Sequence, residues 1–496
     1  MDDRLPVIVG VGESLDRPAD IARAKGPLDL IAEAIAAAET DAGATLTAGT
    51  DSIDVIKHTS VWYEDLPNLV RQRLGIGPCH AVLGEGSGNG PTRELHNAAL
   101  RVQRGESKVA LVCGAEAQWS VDQARKAGIR LPWQGVQDAP EVFRAPAYAN
   151  SLALKYGVLI PTQVYPLYEN ATTAAWGQMP RQAIGESARI WSAMSRVAAA
   201  HPGAWMRRPY EPEEIAQSGP KNRLLAWPYT KLMVAQPSVN LASAIFVTTV
   251  GYARVLGIPR ERLIFIEGGA AAREPDDFLL RDSYVVNASQ SAVLQAMQAG
   301  RTGHEAFDLV ELYSCFPVVP KMARRLLGLA EDNALTQAGG LTFFGAPVHN
   351  YMSHAAAAMT RRLRAGGQRG LLYGQGGNVT KHHALSLTSS APASPILQDY
   401  SVQAQADAAR GPVPDLLSDY TGRAIIETFT VLHDRGGRPS AGVLLLRTPF
   451  EARVLATVLP TDTPTIERLK DLDDSPVGRV MEVTRGASGM NEGRFA

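Results

Sequence analysis

Two segments of this chain place polar side chains where a strand hands over to a helix. The first is a glycine-rich turn at residues 84–90 (GEGSGNG), after an apolar run at 81–83 and before a helix expected over 92–104. A helix start exposes backbone N–H groups and a dipole end that favour negative charge. The turn is not a phosphate loop, because no Lys-Ser/Thr follows it, and it makes no convincing GxGxxG fingerprint. Ser87 and Thr92 offer hydroxyls there, which become nucleophiles only beside a base. The second segment is ELYSCF at 311–316, a strand end carrying Tyr313 and Cys315. Further on, Asn350 and His354 are four apart and share a helix face if a helix starts there, with His349 just before them. Lys381, His382 and His383 alternate along a strand, so only one of the two histidines can face a site. Cys113 sits in an apolar strand as a small hydrophobe. With Cys79 and Cys315 it makes neither a disulfide framework nor a zinc-type cluster, so no metal is expected.

The elements that position these groups alternate. Short β-rich runs at 6–11, 53–58 and 109–113 are separated by helical patterns at 28–38, 66–74 and 92–104, which predicts a largely parallel sheet with helices on it. Residues about 121–236 break the pattern. They are rich in Pro, Trp, Tyr and Arg, contain one amphipathic helix over 181–200, and read as a long insertion covering something. The alternation then repeats, with a strand at 309–315, a loop GGLTFFGAPVHN, a helix over 351–365 and a second glycine turn, GQGGN, at 374–378. Residues 391–419 are rich in Ser, Ala, Pro and Asp and read as a linker. Beyond 420 come β-type runs with one short helix, a small β-rich unit.

Bulk properties exclude several classes. With 49 basic and 50 acidic residues in 496, the net charge of −1 provides no general attraction to nucleic acid or anionic membranes. No uninterrupted apolar stretch is long enough to span a bilayer. The opening MDDRLPVIVGVG lacks the basic and apolar parts of a signal peptide, so a cytoplasmic protein is expected.

Four segments, in order, resemble the thiolase superfamily: residues 84–116 its nucleophile segment, ELYSCF its His-Asp-Cys-Phe or Asn-Glu-Ala-Phe strand end, GGLTFFGAP its Gly-His-Pro loop, and YGQGGNV its last glycine turn. The resemblance covers about residues 1–390, and the layout with an extra C-terminal unit is most similar to thiolase-like proteins of type 1. It implies two similar βαβαβαββ halves in an αβαβα layering, over 1–260 and 261–390, and a β-rich domain of OB-like or split βαβ type over 420–496. Departures are as informative as matches. The nucleophilic cysteine falls on Gly88, the Gly-His-Pro histidine on Ala346, the histidine of His-Asp-Cys-Phe on Tyr313 and the last cysteine on Gly374; only Cys315 stands at a thiolase cysteine position. Losing a nucleophile costs on the order of a million-fold in turnover, which argues against an acyl-cysteine route.

The resemblance therefore implies a protein that acts on or binds acyl-CoA, with coenzyme A thioester as substrate or ligand and no covalently bound cofactor. Some thiolase-like proteins without the cysteine cleave β-hydroxyacyl-CoA by a retro-aldol reaction, assisted by a partner OB-fold protein, and a tyrosine takes the β-hydroxyl proton. On that pattern Tyr313 is the base, Cys315 and His349 its neighbours, and Gly88, Asn350, Gly376 and Gly377 the thioester pocket, with Gly88 leaving room for a carbonyl. A non-catalytic acyl-CoA-binding or scaffold protein is the alternative from another class. The insertion occupies the place of the thiolase loop domain, which implies a role in holding the phosphates for Arg207, Arg208, Lys221, Arg223 and Lys231. A homodimer is expected, with a monomer open if the extra domain covers the dimer surface.

Overall fold

The computed structural model describes residues 3–136, 150–299 and 306–495. Its first half places Pro6–Leu15 (β1), Ser52–Val55 (β2), His80–Leu83 (β3), Val109–Ala117 (β4) and Asn240–Thr249 (β5) side by side, in the order β3-β2-β4-β5-β1. β1, β2, β4 and β5 are buried along nearly their whole length, which is why they read as apolar runs without alternation. β2 runs parallel to β3 and β4, while β5 is antiparallel to both of its neighbours. Pro27–Ala42 (α1) packs on this sheet. Pro27 starts the helix, and Gly43 closes it with φ 69°, the left-handed conformation that glycine tolerates. Gly90–Arg104 (α2) follows the glycine turn.

The insertion between β4 and β5 folds mainly into two helices, Pro161–Ala175 (α3) and Pro180–Ala200 (α4), and a short hairpin of Leu224–Ala226 with Tyr229–Thr230. Residues 137–149 of the insertion lie outside the described residues.

The second half repeats the first. Ile264–Arg273 (β6), Leu309–Leu312 (β7), Arg369–Gly376 (β8) and Lys381–Thr388 (β9) lie in the order β6-β9-β8-β7, again with the last strand antiparallel to both neighbours. Its helices are Ala288–Gln298 (α5), Val318–Leu326 (α6) and Tyr351–Arg364 (α7). The halves meet where β1 pairs with β6 through Val7↔Phe265 and Ile8↔Ile264. α2 and α7 pack on each other and each touches strands of both halves. They form the middle helical layer, and the two loops with chemical promise feed directly into it.

Residues 391–419, read from the sequence as a linker, run along the second half. Ile396 is buried and exchanges backbone hydrogen bonds with the Gln103 side chain at 2.7 and 2.9 Å, and Gln403–Ala409 (α8) packs on α5. Beyond them, Gly422–His433 (β10), Pro439–Arg447 (β11), Arg453–Val458 (β12), Val480–Arg485 (β13) and Asn491–Phe495 (β14) close into a five-stranded barrel in the circular order β10-β11-β12-β14-β13. Thr463–Leu469 (α9) sits between the third and fourth strands, an OB-like arrangement. The insertion hairpin extends this barrel's sheet through Leu432↔Ala226. α3 carries it from beneath: Asn170 Nδ2 donates to Phe429 O at 2.8 Å, and Thr428 Oγ1 to Leu167 O at 2.5 Å. Among the described residues no helix is long and apolar enough to cross a membrane.

Candidate functional site

The turn at 84–90, the end of β7 and the turn after β8 converge at the start of α2. A Cβ built on Gly88 would lie 2.6 Å from Tyr313 Cζ, and closer still to the Tyr313 hydroxyl and the Gln375 carbonyl oxygen. The room expected at Gly88 is therefore filled by the Tyr313 ring. Glycine is required there by close approach, with no Cβ to spare for a cysteine. The second glycine turn presses on the first in the same way. A Cβ on Gly376 would meet Asn89 Oδ1 at 2.8 Å and the Gly88 nitrogen at 3.1 Å, and one on Gly374 would meet Thr92 Oγ1 at 2.8 Å.

Tyr313 is buried, and its hydroxyl has no hydrogen-bond partner among the described residues. Its ring meets Tyr351 edge-on, with centroids 6.2 Å apart. Tyr351 in turn donates to Glu311 Oε1 at 2.8 Å and accepts from the Gly340 N–H at 3.0 Å, so ELYSCF and GGLTFFGAP are tied together behind the phenol. Burial, with the nearby Cys315 as a lesser cause, holds the phenol well above its usual range. It is a neutral hydroxyl at physiological pH. Cys315 is also buried, and desolvation pushes its thiol up to about 12, against a lowering hydrogen bond from Tyr165. The thiol is 3.7 Å from Gln375 Oε1.

His349 does not reach Tyr313 by any hydrogen bond or ring contact among the described residues. Its Nε2 lies 2.9 Å, and Lys57 Cδ 3.0 Å, from where a Cβ on Gly86 would stand. Burial first, then Lys57, His58 and Lys381, lower its pKa to about 4, so it is neutral. Asn350 serves the scaffold: its Nδ2 donates to Gly114 O at 2.9 Å and Ser243 Oγ at 3.1 Å. Ser87 donates to Asn89 Oδ1 at 2.5 Å, and Thr92 Oγ1 is buried without a partner among the described residues. Neither hydroxyl has a base hydrogen-bonded to it. His383 pairs with His96 at 3.0 Å, whereas His382 meets the Tyr373 hydroxyl at 2.7 Å, so the two histidines do point to opposite sides of β9. Gly377, with φ 61°, makes the tight turn after β8.

Sequence reasoning missed three residues here. Gln375 is the largest side chain in GQGGN; it is fully buried, its Nε2 donates to Gly376 O at 2.7 Å, and its Oε1 accepts from Tyr165 at 3.1 Å. The same Tyr165 hydroxyl, on α3, lies 2.8 Å from Gly377 O, so its one proton is shared between the two oxygens, and its ring stacks on Phe316 with centroids 4.3 Å apart. Tyr168, nearly one turn further, donates to Asn378 O at 2.8 Å. The signal was the aromatic-rich stretch TQVYPLYEN inside the insertion. Behind Tyr165, Tyr229 donates to Glu169 Oε2 at 2.7 Å, and the fully buried Lys321 pairs with Glu169 and donates to Ser187 Oγ at 3.1 Å.

The five cations proposed for coenzyme A have separate fates. Arg208 is held by Glu214 at 2.9 Å, and Arg223 donates to Asp434 O in the barrel at 3.4 Å. Arg207, Lys221 and Lys231 are exposed, without ion pairs among the described residues. The barrel also reaches the site's frame: Arg453 donates to the carbonyls of Leu279 and Arg281, both at 2.7 Å, and Arg281 donates to Val379 O at 3.0 Å in the second glycine turn.

A family model described as the thiolase-like protein type 1 additional C-terminal domain matches residues 402–487. The chain is similar over its whole length to the crystal structure of a monomeric SCP2-thiolase like protein type 1 from Mycobacterium smegmatis, at 27% identity, with 100% of both chains covered and a TM-score of 0.83. It is similar in fold to the Ltp2-ChsH2(DUF35) aldolase, at 19% identity over 77% of this chain and 97% of that one, TM-score 0.57. An acetyl-CoA acetyltransferase from Syntrophomonas wolfei shares the fold at 17% identity over 78% of this chain and 99% of that one, TM-score 0.55. A search of curated proteins gives no match.

Proposed function

We propose that this chain, which is similar to a thiolase-like protein of type 1 over its whole length and matches that type's additional C-terminal domain, handles acyl-CoA thioesters without an acyl-enzyme, as a retro-aldolase of β-hydroxyacyl-CoA. The observation that carries this is the Gly88–Tyr313 exchange: a phenol stands where the fold would otherwise place sulfur. Its hydroxyl, on a buried ring and unpartnered among the described residues, is an incomplete hydrogen-bonding group that a substrate oxygen would complete. In the cleavage direction, Tyr313 as phenolate takes the proton of the β-hydroxyl. The Cα–Cβ bond then breaks, its electrons form the thioester enolate, and a carbonyl compound leaves. The phenol returns the proton to the enolate carbon. At the start of α2 the Gly90 and Arg93 N–H groups donate to Ser87 O and Asn89 O and Pro91 has none, which leaves the Thr92 N–H as the first-turn donor for the enolate oxygen. The OB-like barrel, joined to α3 and to Arg281, braces the turn that faces Tyr313, and it is part of this chain, whereas the aldolases of the resemblance work with a partner OB-fold protein.

A protein that binds acyl-CoA without turning it over is the second reading. It is favoured by the surroundings of Tyr313, where burial and Cys315 raise the phenol and no cation is among the causes that act on it. One experiment separates them: turnover of β-hydroxyacyl-CoA esters by the parent and by Tyr313→Phe. For the lyase, the cleavage rate climbs about tenfold per pH unit from about 7 to 10, because the phenolate fraction grows as pH approaches a raised pKa. Activity that survives Tyr313→Phe rejects the phenol as base. Saturable coenzyme A binding with no turnover of any ester supports the binding protein.

A further inference from the structure

A wide cleft lies away from Tyr313. Its volume is about 1070 Å³, at the upper end for a small-molecule site. It opens between the end of β1, α1, the C-terminal ends of α4 and α7, and the loop at 334–337. Tyr351 starts α7 at the candidate site, and Arg362, near the other end of that helix, stands roughly 16 Å further along its axis.

The cleft has an apolar wall and a charged floor. Val11, Ala37, Val197, Ala358 and Ala365 line it with short side chains, which leaves the space open. On the floor, Glu13 is almost fully buried and both its oxygens are taken. Oε1 meets His354 Nδ1 at 2.6 Å, and Oε2 pairs with Arg361. The other acid on the wall, Asp41, is taken by Arg364 at 2.6 Å and by Arg262 at 3.4 Å. Neither acid is left to attract a cation. Two donors are left instead. Arg362 lines the cleft with an exposed guanidinium that has no partner among the described residues. His201 accepts the Gly203 N–H on Nδ1 at 3.1 Å, which leaves Nε2 as the protonated nitrogen. That nitrogen stands 3.8 Å from Glu13 Oε2, beyond hydrogen-bond reach. Arg207 is a further exposed cation close enough to His201 to help burial lower its pKa.

We propose that this cleft binds an amphipathic carboxylate such as a fatty acid, with its methylene chain on the alanine-lined wall and its carboxylate on Arg362 and the His201 Nε2–H. A bidentate guanidinium–carboxylate pair suits Arg362, and a short hydrogen bond would satisfy His201. The site is independent of the acyl-CoA reading.

The test is calorimetric titration of the full chain with decanoate, with decanamide (same chain, no charge) and with acetate (same charge, no chain). Decanoate is expected to bind one to one, at least tenfold tighter than either control. Arg362→Glu should weaken decanoate at least tenfold, and Ala200→Trp, which fills the mouth from an exposed position, should abolish binding. Both substitutions are on the surface, and circular dichroism and thermal midpoint should match the parent. Coenzyme A should not displace decanoate. Decanamide binding as tightly as decanoate, parent-like binding by both variants, or no saturable binding at all would each overturn the proposal. Displacement by coenzyme A at equal strength would assign the cleft to a phosphate ligand and overturn the carboxylate.

Discussion

Substituting Gly88 by alanine tests the central geometric claim. Carbon atoms in contact normally sit about 3.5–4.0 Å apart. The new methyl would stand 2.6 Å from Tyr313 Cζ. The ring would have to retreat by about 1 Å to restore ordinary contact, and Tyr351 stands edge-on to it. On the other side is the Gln375 carbonyl, part of β8 and in register with His382 of β9, which has no rotamer to change. Overpacking a rigid site costs about 1–3 kcal/mol, and with two unyielding walls the upper end is expected. Gly77→Ala is the control, since a Cβ there meets nothing within 4 Å and the backbone is not left-handed. It should change stability by no more than about 0.5–1 kcal/mol, in either direction. Tyr313→Ala alone opens a cavity and should cost about 3–5 kcal/mol. Combined with Gly88→Ala, the new methyl enters vacated space, so the double variant should be less destabilised than the sum by at least about 1 kcal/mol. Urea unfolding midpoints of the four variants measure all of this. If Gly88→Ala unfolds within about 0.5 kcal/mol of the parent, the range of an ordinary surface substitution, Tyr313 does not fill the position, and the argument against a cysteine there fails.

Three further outcomes follow from buried charges and from the chain's path. Lys321→Met leaves Glu169 buried without its cation and should cost about 3–5 kcal/mol, most of it recovered by adding Glu169→Gln; an unchanged urea midpoint would show that the pair is dispensable. Burial alone raises the Glu13 carboxyl, but the His354 hydrogen bond and the charges of His354, Arg361 and His201 outweigh it and lower the pKa from 4.5 to about 2. A depressed carboxyl contributes stability that is fully present above its unfolded pKa, so roughly 3 kcal/mol should be lost as pH falls from about 4.5 to about 2; Glu13→Gln should flatten stability across that window, and an unchanged slope would contradict the assignment. Limited proteolysis should spare residues 395–411, which are pinned by Gln103, Asn97 and Glu274, even though their composition is that of a linker; early cleavage there would show the contacts to be loose.

That linker shows where composition stops being informative. Small and polar residues are common both in solvated linkers and in chains that lie along a surface through backbone hydrogen bonds. Only the partner decides, and here Ala271 exchanges bonds with Tyr400 and Val402. Fold class was legible because buried strands and the helices between them leave separate apolar runs, and because four segments recur in a fixed order; the largely parallel sheet expected from that alternation is instead mixed, with β5 and β9 antiparallel to both neighbours and β1 antiparallel to β6. The OB-like barrel was legible as a β-rich tail, but its closure, through parallel pairing of β12 with β14 at Thr457↔Glu492, leaves no local mark. The site was legible by position only. Gly88 and Tyr313 could each be placed on the thiolase pattern, but that one fills the space of the other is a relation between distant parts of the chain.

His349 and Asn350 were misleading for the same physical reason, and α3 was not foreseen. Polar residues beside Ala346, where the resemblance places a histidine, suggest a replacement for it. In the fold, the Asn350 amide nitrogen is taken by Gly114 and Ser243, with its Oδ1 buried and unpartnered among the described residues, and His349 turns toward Gly86 and Lys57. What reaches the phenol's surroundings comes instead from the insertion, through Tyr165, whose hydroxyl meets both Gln375 and Gly377. α3 is therefore shared by two neighbours, with Tyr165 and Tyr168 on the second glycine turn and Leu167 and Asn170 on the barrel. A chain of this fold keeps its framework with glycine at position 88. It cannot change what faces Gly88 without changing the turn that carries Gln375, and in this chain that turn is held by the insertion and, through Arg453 and Arg281, by the additional domain. The extra domain and the site are thus physically one arrangement, joined through α3, the insertion hairpin and the Arg453–Arg281 relay.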